Sequence, residues 1–167
     1  MRVQRSGRIV NVSSVGGKIY SLLGGWYHGT KHALEGMSDC LRIEVAPFGI
    51  DVSIIEPGAI ATEWGPIAAD NVERVSGNGA YAEDAHAVAA SLRPTSPIRH
   101  APASAVADAI VLAATARKPK TRYAVGTNAK PALRARRILS DLSFDTIARR
   151  VTRQASATSV TPGERSS

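Results

Sequence analysis

Gly7-Arg8-Ile9-Val10-Asn11-Val12-Ser13-Ser14, followed by Gly16-Gly17, is the stretch whose reading decides the fold. Ile9, Val10 and Val12 form a short apolar run rich in β-branched residues, and the glycines stop it. Residues 8–13 are therefore expected as a short buried strand. Downstream, Trp26, Thr30, Ala33, Leu34, Met37, Leu41 and Val45 recur at spacings of three and four. That period predicts an amphipathic helix over 26–46, ended by Pro47 and Gly49. Asp51-Val52-Ser53-Ile54-Ile55-Glu56 then reads as a second buried strand, stopped by Pro57-Gly58. A strand, a helix and a strand in succession predict a right-handed parallel crossover.

Residues 59–100 read as irregular, with a turn at Gly77-Asn78-Gly79 and a helix over Glu83 to Leu92. Pro94, Pro97 and Pro102 break the chain, and Pro102 suits the first turn of a helix reaching about Arg117. Val106, Ile110 and Ala113 or Ala114 share one face of it. Arg122 to Gly126 is expected as a third strand. A basic, broken amphipathic helix follows, with Leu142 near the break and Ile147 and Val151 on one face. Residues 155–167, rich in Ser, Thr and Gly, are expected as a disordered tail. The domain reading is 1–128 as an α/β unit, 129–154 as a basic helical extension and 155–167 as the tail.

The chain of 167 residues suits one domain, and its single cysteine, Cys40, allows no internal disulfide. Between Met37 and Leu41, that thiol is expected to be buried and inert. No stretch has the length of a signal-peptide core or a membrane span, so a cytoplasmic protein is expected. Net charge is +7, much of it from Lys130, Arg134, Arg136, Arg137, Arg149, Arg150 and Arg153. The plain reading is a solvated helical face. The alternatives are a basic surface for nucleic acid or anionic lipid, or a pocket attracting the phosphates of a dinucleotide.

Tyr27 and Lys31 are four apart, so they lie on one helical face about one turn from each other. A nearby ammonium favours the phenolate of a tyrosine, and such a pair can move a proton to or from a carbinol or carbonyl oxygen. By itself Tyr-x-x-x-Lys is common on helices; its setting is what gives it weight. Ser14 precedes Tyr27 at the end of the first strand, and Pro57-Gly58-Ala59-Ile60-Ala61-Thr62 closes the second.

These landmarks in this order, over residues 7 to about 126, resemble the short-chain dehydrogenase/reductase family. The resemblance implies an α/β fold, a partial Rossmann-like doubly wound parallel sheet of about three strands with flanking helices and a basic C-terminal helix. It implies an NAD(P)-dependent oxidoreductase interconverting an alcohol and a carbonyl. By that resemblance Tyr27 is the catalytic acid/base, Lys31 favours its phenolate and holds the nicotinamide ribose, and Ser14 orients the substrate oxygen. Pro57, Gly58, Ile60 and Thr62 form the nicotinamide-side wall, with the Ile60 backbone at the carboxamide. Ser13 is a structural hydroxyl. The cofactor is NADP or NAD, with a lean to NADP, because the residue that chooses lies outside this sequence. A homo-oligomer is expected for a complete protein, and nucleic acid is not an expected partner.

The family's glycine-rich phosphate loop has no counterpart before Ser14. The expectation is therefore that this chain binds a dinucleotide poorly and shows little activity, and that the edge at residues 8–13 favours self-association or a partner strand. A non-catalytic fragment, a partner-dependent module, or a nucleic-acid or anionic-membrane binder through residues 130–153 stands as the alternative. His28 and His32 are also four apart, but no third ligand is placed near them, and no metal is expected. Trp64, Ile67 and Tyr81 are candidates to line an apolar substrate pocket for a hydrophobic alcohol or ketone. The Arg122-Tyr123-x-x-Gly126 pattern resembles a subgroup related to hydroxysteroid dehydrogenases. Trp26 and Trp64 flank the proposed site.

Overall fold

The computed structural model describes residues 1–96 and 98–159, with side chains given through residue 154. Three parallel strands form the central sheet in the order β1 (Gly7–Val12), β2 (Ile50–Pro57), β5 (Arg122–Val125). Gly7 pairs with Ile50 at one end of β1 and Val12 with Ile55 at the other, while Ile54 pairs with Arg122. The middle strand is the most deeply buried, with Val52, Ile54 and Ile55 shut off from solvent. A strand covered on both edges and both faces needs apolar, β-branched side chains on both sides, which is why Val-Ser-Ile-Ile lies here.

Side chains alternate across the sheet. On one face, Ile55, Val125, Val10 and Tyr123 pack against Ala109, Ile110 and Ala113 of α4 (Ala103–Thr115). On the other face lies α1 (Gly25–Val45), the connection between β1 and β2. Here the expected pattern needs correction. The apolar stripe of α1 is only partly covered: Trp26 is 95% exposed and Met37 70%, while Leu34, Leu41 and Val45 are half-buried. The residues turned inward are Glu35 and Ser38. The sheet offers that helix polar groups, Asn11 of β1, Glu56 of β2 and Arg122 of β5, and Asn11 Nδ2 donates to Ser38 Oγ at 2.8 Å. Periodicity found the helix, but the chemistry of the facing strands decided which face is covered. Cys40 is likewise exposed, not buried.

Residues 59–100 contain the helix expected over Glu83–Leu92, as α3 (Ala82–Leu92), and two elements that were not expected, β3 (Ile60–Ala61) and α2 (Trp64–Ser76); β4 (Ala101–Pro102) follows. β3 and β4 pair as a short parallel bridge, Ile60 with Ala101. α2 and α3 approach closely because small residues meet: Ala69 of α2 and Ala85 and Ala89 of α3 are fully buried. Gly65 allows the start of α2 to touch the end of α3, where a Cβ would come within 2.5 Å of the Leu92 carbonyl oxygen.

α5 (Ala129–Ile138) and α6 (Asp141–Ser159) complete the chain, and α6 packs on α3. The buried residues of α6 are Phe144 and Thr152, with Ala148 half-buried between them. Ile147 and Val151 do share a face, as expected, but it stands half-exposed beside that stripe. Phe144 sits edge-on against Tyr20, ring centroids 5.0 Å apart, and the Tyr20 hydroxyl donates to Asp145 at 3.0 Å. α6 extends past residue 155, into the segment expected to be a tail; residues 160–167 lie outside the described ones.

Candidate active site

Ser14 ends β1 and caps the short 3-10 helix Val15–Gly17. Its Oγ accepts from the Gly16 amide at 3.0 Å and donates to the Pro57 carbonyl at 3.3 Å. The hydroxyl is thus fixed between the ends of β1 and β2. Tyr27 lies in the first turn of α1, half-buried, its ring tilted against Trp64 with centroids 5.1 Å apart. One turn on, Lys31 Nζ donates to the Val12 carbonyl at 3.2 Å. Ser14, Tyr27 and Lys31 open into one cavity of about 640 Å³.

Pro57, Gly58, Ile60 and Thr62 line the same cavity. The turn after β2 is held by the Gly58 amide, which donates to Val125 O at 2.8 Å, and by Asn128 Oδ1, which accepts from Ala59 N at 3.3 Å. A Cβ on Gly58 would come within 2.5 Å of that Asn128 oxygen, so a larger residue there would displace the Asn128 side chain and its bond to Ala59.

Of the aromatic and aliphatic candidates for a substrate wall, only Trp64 lines the cavity. Ile67 and Tyr81 are exposed elsewhere. Tyr81 precedes α3, a helix length from Leu92, and it is the Leu92 end that reaches the cavity. Ile98, His100, Val106 and Ile110 line it instead. Val106 and Ile110 were legible as one face of α4; nothing in the sequence marked His100 or Asn128. Trp26, nearly fully exposed, is not part of the lining.

His28 spends both ring nitrogens on the loop before the helix, with Nδ1 2.9 Å from Gly16 O and Nε2 3.0 Å from Ser21 Oγ. It braces the Ser14 loop against the helix carrying Tyr27. Ser13 Oγ and Glu35 Oε1 are buried without a hydrogen-bond partner among the described residues. Behind the cavity, Glu35 is held by Lys18 at 3.4 Å and Arg122 at 3.0 Å. Burial, the largest influence, and the neighbouring Glu35 charge push the Glu56 carboxyl above its ordinary range, against the pull of Arg122. No helix among the described residues is long and apolar enough to cross a membrane.

In open parallel α/β sheets ligands bind beyond the carboxyl ends of the strands, which is where the cavity with this hydroxyl, phenol and ammonium lies. Residues 1–71 match the family described as short chain dehydrogenase. The protein named "Probable short-chain type dehydrogenase/reductase VdlC" of Helicobacter pylori is 35% identical over 144 residues, 86% of this chain and 52% of its own. A crystal structure of a short-chain dehydrogenase from Streptomyces avermitilis superposes with a TM-score of 0.58 at 30% identity, covering 95% of this chain and 54% of that one. A variant of actinorhodin polyketide ketoreductase, solved with NADPH, superposes at 0.54 with 26% identity, over 75% of this chain and 48% of that one. Together these matches support membership of the short-chain dehydrogenase/reductase family. It spans about half the length of these relatives.

Proposed function

We propose that the cavity is the nicotinamide and substrate end of an NAD(P)-dependent oxidoreductase site that interconverts an alcohol and a carbonyl on a hydrophobic substrate. The observation that carries this reading is the cavity's makeup. Ser14, Tyr27 and Lys31 enter it together, and most of the remaining wall is apolar. Tyr27 passes a proton to or from the substrate oxygen. Ser14 holds that oxygen by a hydrogen bond. Lys31 brings its ammonium into the same cavity, one helical turn from Tyr27.

The residues fit a nicotinamide riboside. Lys31 uses one N–H on Val12 O and has two more for ribose hydroxyls. Pro57, Gly58 and Ile60 offer it a flat apolar wall, and Thr62 a hydroxyl. The cofactor, when bound, would supply the hydride. NADPH in the related ketoreductase favours NADP, with NAD as the other candidate. Trp64, Ile98, Val106 and Ile110 suit an apolar substrate body. In a longer form, the exposed part of the apolar stripe of α1 is a surface for homo-oligomerisation.

These 167 residues contain no glycine-rich strand-to-helix turn to hold a pyrophosphate. The chain alone is therefore proposed to bind dinucleotide weakly and to turn over little. The test is titration of the chain with NADPH and NADH by fluorescence, beside turnover of a hydrophobic ketone. Both are repeated with the chain joined to any in-frame sequence preceding Met1. Tyr27→Phe should lower turnover by orders of magnitude and leave cofactor affinity nearly unchanged. Full turnover in that variant removes Tyr27 as the acid/base, and micromolar binding by the chain alone removes the weak-binding reading.

A further inference from the structure

The cavity leaves the C-terminal helix pair unused. Seven cations lie between residues 130 and 153, and only Arg136 has an ion pair there, with Asp141 at 2.7 Å. Arg136 also lies over the rings of Tyr20 and Phe144, so it serves the packing of α6. Lys130, Arg134, Arg137, Arg149, Arg150 and Arg153 are exposed and unpaired among the described residues.

Their placement is regular. On α5, Lys130, Arg134, Arg137 and Ile138 fall at intervals of four, three and one, a single outward face. Its opposite face is tucked in through Ala129 and Arg136. On α6, Leu142, Arg149, Arg150 and Arg153 share the side opposite the buried residues Phe144 and Thr152. α5 has no carboxylate. Both carboxylates of α6 are engaged, Asp141 by Arg136 and Asp145 by the Tyr20 hydroxyl. At the corner where the helices meet, Ile138 is 83% exposed and Leu142 80%.

Two adjoining helices with unpaired cations on their outer faces and bare aliphatic side chains at their corner match the chemistry of a lipid interface. Cations attract anionic headgroups, and aliphatic side chains enter the acyl boundary. We propose that α5 and α6 form a docking surface for anionic lipid bilayers, with Ile138 and Leu142 as the inserted corner. Nucleic acid fits less well. Exposed Ile138 and Leu142 gain nothing from a phosphate backbone, and no aromatic side chain stands among these outward residues to stack on a base. The proposal is independent of the reaction assigned to the cavity.

The test is co-sedimentation of the full chain with phosphatidylcholine vesicles and with vesicles containing phosphatidylglycerol. Binding to the anionic vesicles alone, weakening as salt is raised, is expected. Arg134→Glu with Arg137→Glu should weaken it at least about tenfold. Ile138→Ser with Leu142→Ser should weaken vesicle binding severalfold and leave binding to heparin, a polyanion without acyl chains, unchanged. Equal affinity for neutral and anionic vesicles, or no association with either, overturns the proposal. Binding to duplex DNA tighter than to the anionic vesicles, untouched by the serine pair, overturns it in favour of a nucleic-acid surface. Circular dichroism of each variant checks that these exposed substitutions leave the fold in place.

Discussion

The guanidinium of Arg122 on β5 lies 3.0 Å from the Glu35 carboxylate of α1 and 3.2 Å from that of Glu56 on β2, joining two buried acids on different elements. Glu35 is 2% exposed and Glu56 3%. Two carboxylates in so dry a place need compensating cations, and Arg122 is the one that touches both. Its removal leaves buried charge without compensation. Arg122→Met should therefore cost about 3–5 kcal/mol in urea unfolding. A loss under about 1 kcal/mol would mean that water or Lys18 already satisfies both acids.

Asp39 gives the same network a pH dependence. Burial opposes its ionisation, but hydrogen bonds from Arg122 and Arg42 prevail and lower its carboxyl from the ordinary 3.8 to about 2. A depressed acid stabilises the fold above its unfolded value and loses that contribution as pH falls through the folded one. The stability gap between the native chain and Asp39→Asn should thus be constant above about pH 4 and shrink toward about pH 2. A gap that stays level across that window in pH-dependent urea titrations would show that Asp39 is not ionically held. Glu56 works in the opposite sense, since its raised carboxyl is costly when charged and relieved on acidification.

Phe144 and Leu142 lie two residues apart on α6 and should behave oppositely. Phe144 is buried on Tyr20, and Leu142 stands in solvent. Phe144→Ala should cost about 3–5 kcal/mol, the usual range for a buried aromatic, and Leu142→Ala under about 0.5 kcal/mol. Equal losses in urea midpoints would contradict the docking of α6 on the Tyr20 loop.

The contrast also shows what the sequence could carry. The strands around Val10, Ile54 and Tyr123 and the helix of Tyr27 were legible because apolar period and Gly or Pro stops act locally. Ser14, Tyr27, Lys31 and the Pro57 turn were grouped through the order and separations in which they resemble the family's landmarks, and the fold brings them to one cavity. The covered face of α1 was not legible, because Glu35 is acceptable inside through Lys18 and Arg122, the latter a partner 87 residues away. α2 was hidden by its composition, since Asp70, Asn71 and Glu73 dilute its apolar face and its packing rests on Ala69. His100 enters the cavity through the β3–β4 bridge, a pairing of two residues on each side with no sequence signature.

Cys40 stands exposed on α1. A thiol reagent should label it in the folded chain at a rate within about tenfold of that in urea. Protection by several orders of magnitude would mean that another surface covers this face of α1 in solution.

Gly16 and Gly17 separate the position of Tyr27 from the stability of its helix. A Cβ on Gly17 would meet Lys31 O at 2.9 Å and Glu35 Cγ at 2.7 Å, atoms in the body of α1. The Lys31 oxygen is backbone and cannot yield without moving the helix, so Gly17→Ala should destabilise by about 1–3 kcal/mol. A Cβ on Gly16 would instead meet Tyr27 Cε1 at 2.8 Å, a side chain free to swing. Such a shift displaces the phenol from its place against Trp64 and leaves the helix in place. Displacement of about 1 Å at a reacting group costs roughly a hundredfold in rate. Gly16→Ala should therefore unfold near the native midpoint yet lose turnover on that scale, measured in a form of the protein that turns over substrate. Its affinity for nicotinamide cofactor should hold, because Lys31 and the Pro57 turn are untouched. Unchanged turnover with a displaced ring, seen as a shift in the Tyr27 resonances, would separate that tyrosine from the chemistry. A collapse in stability equal to that of Gly17→Ala would show that the loop cannot move independently of α1.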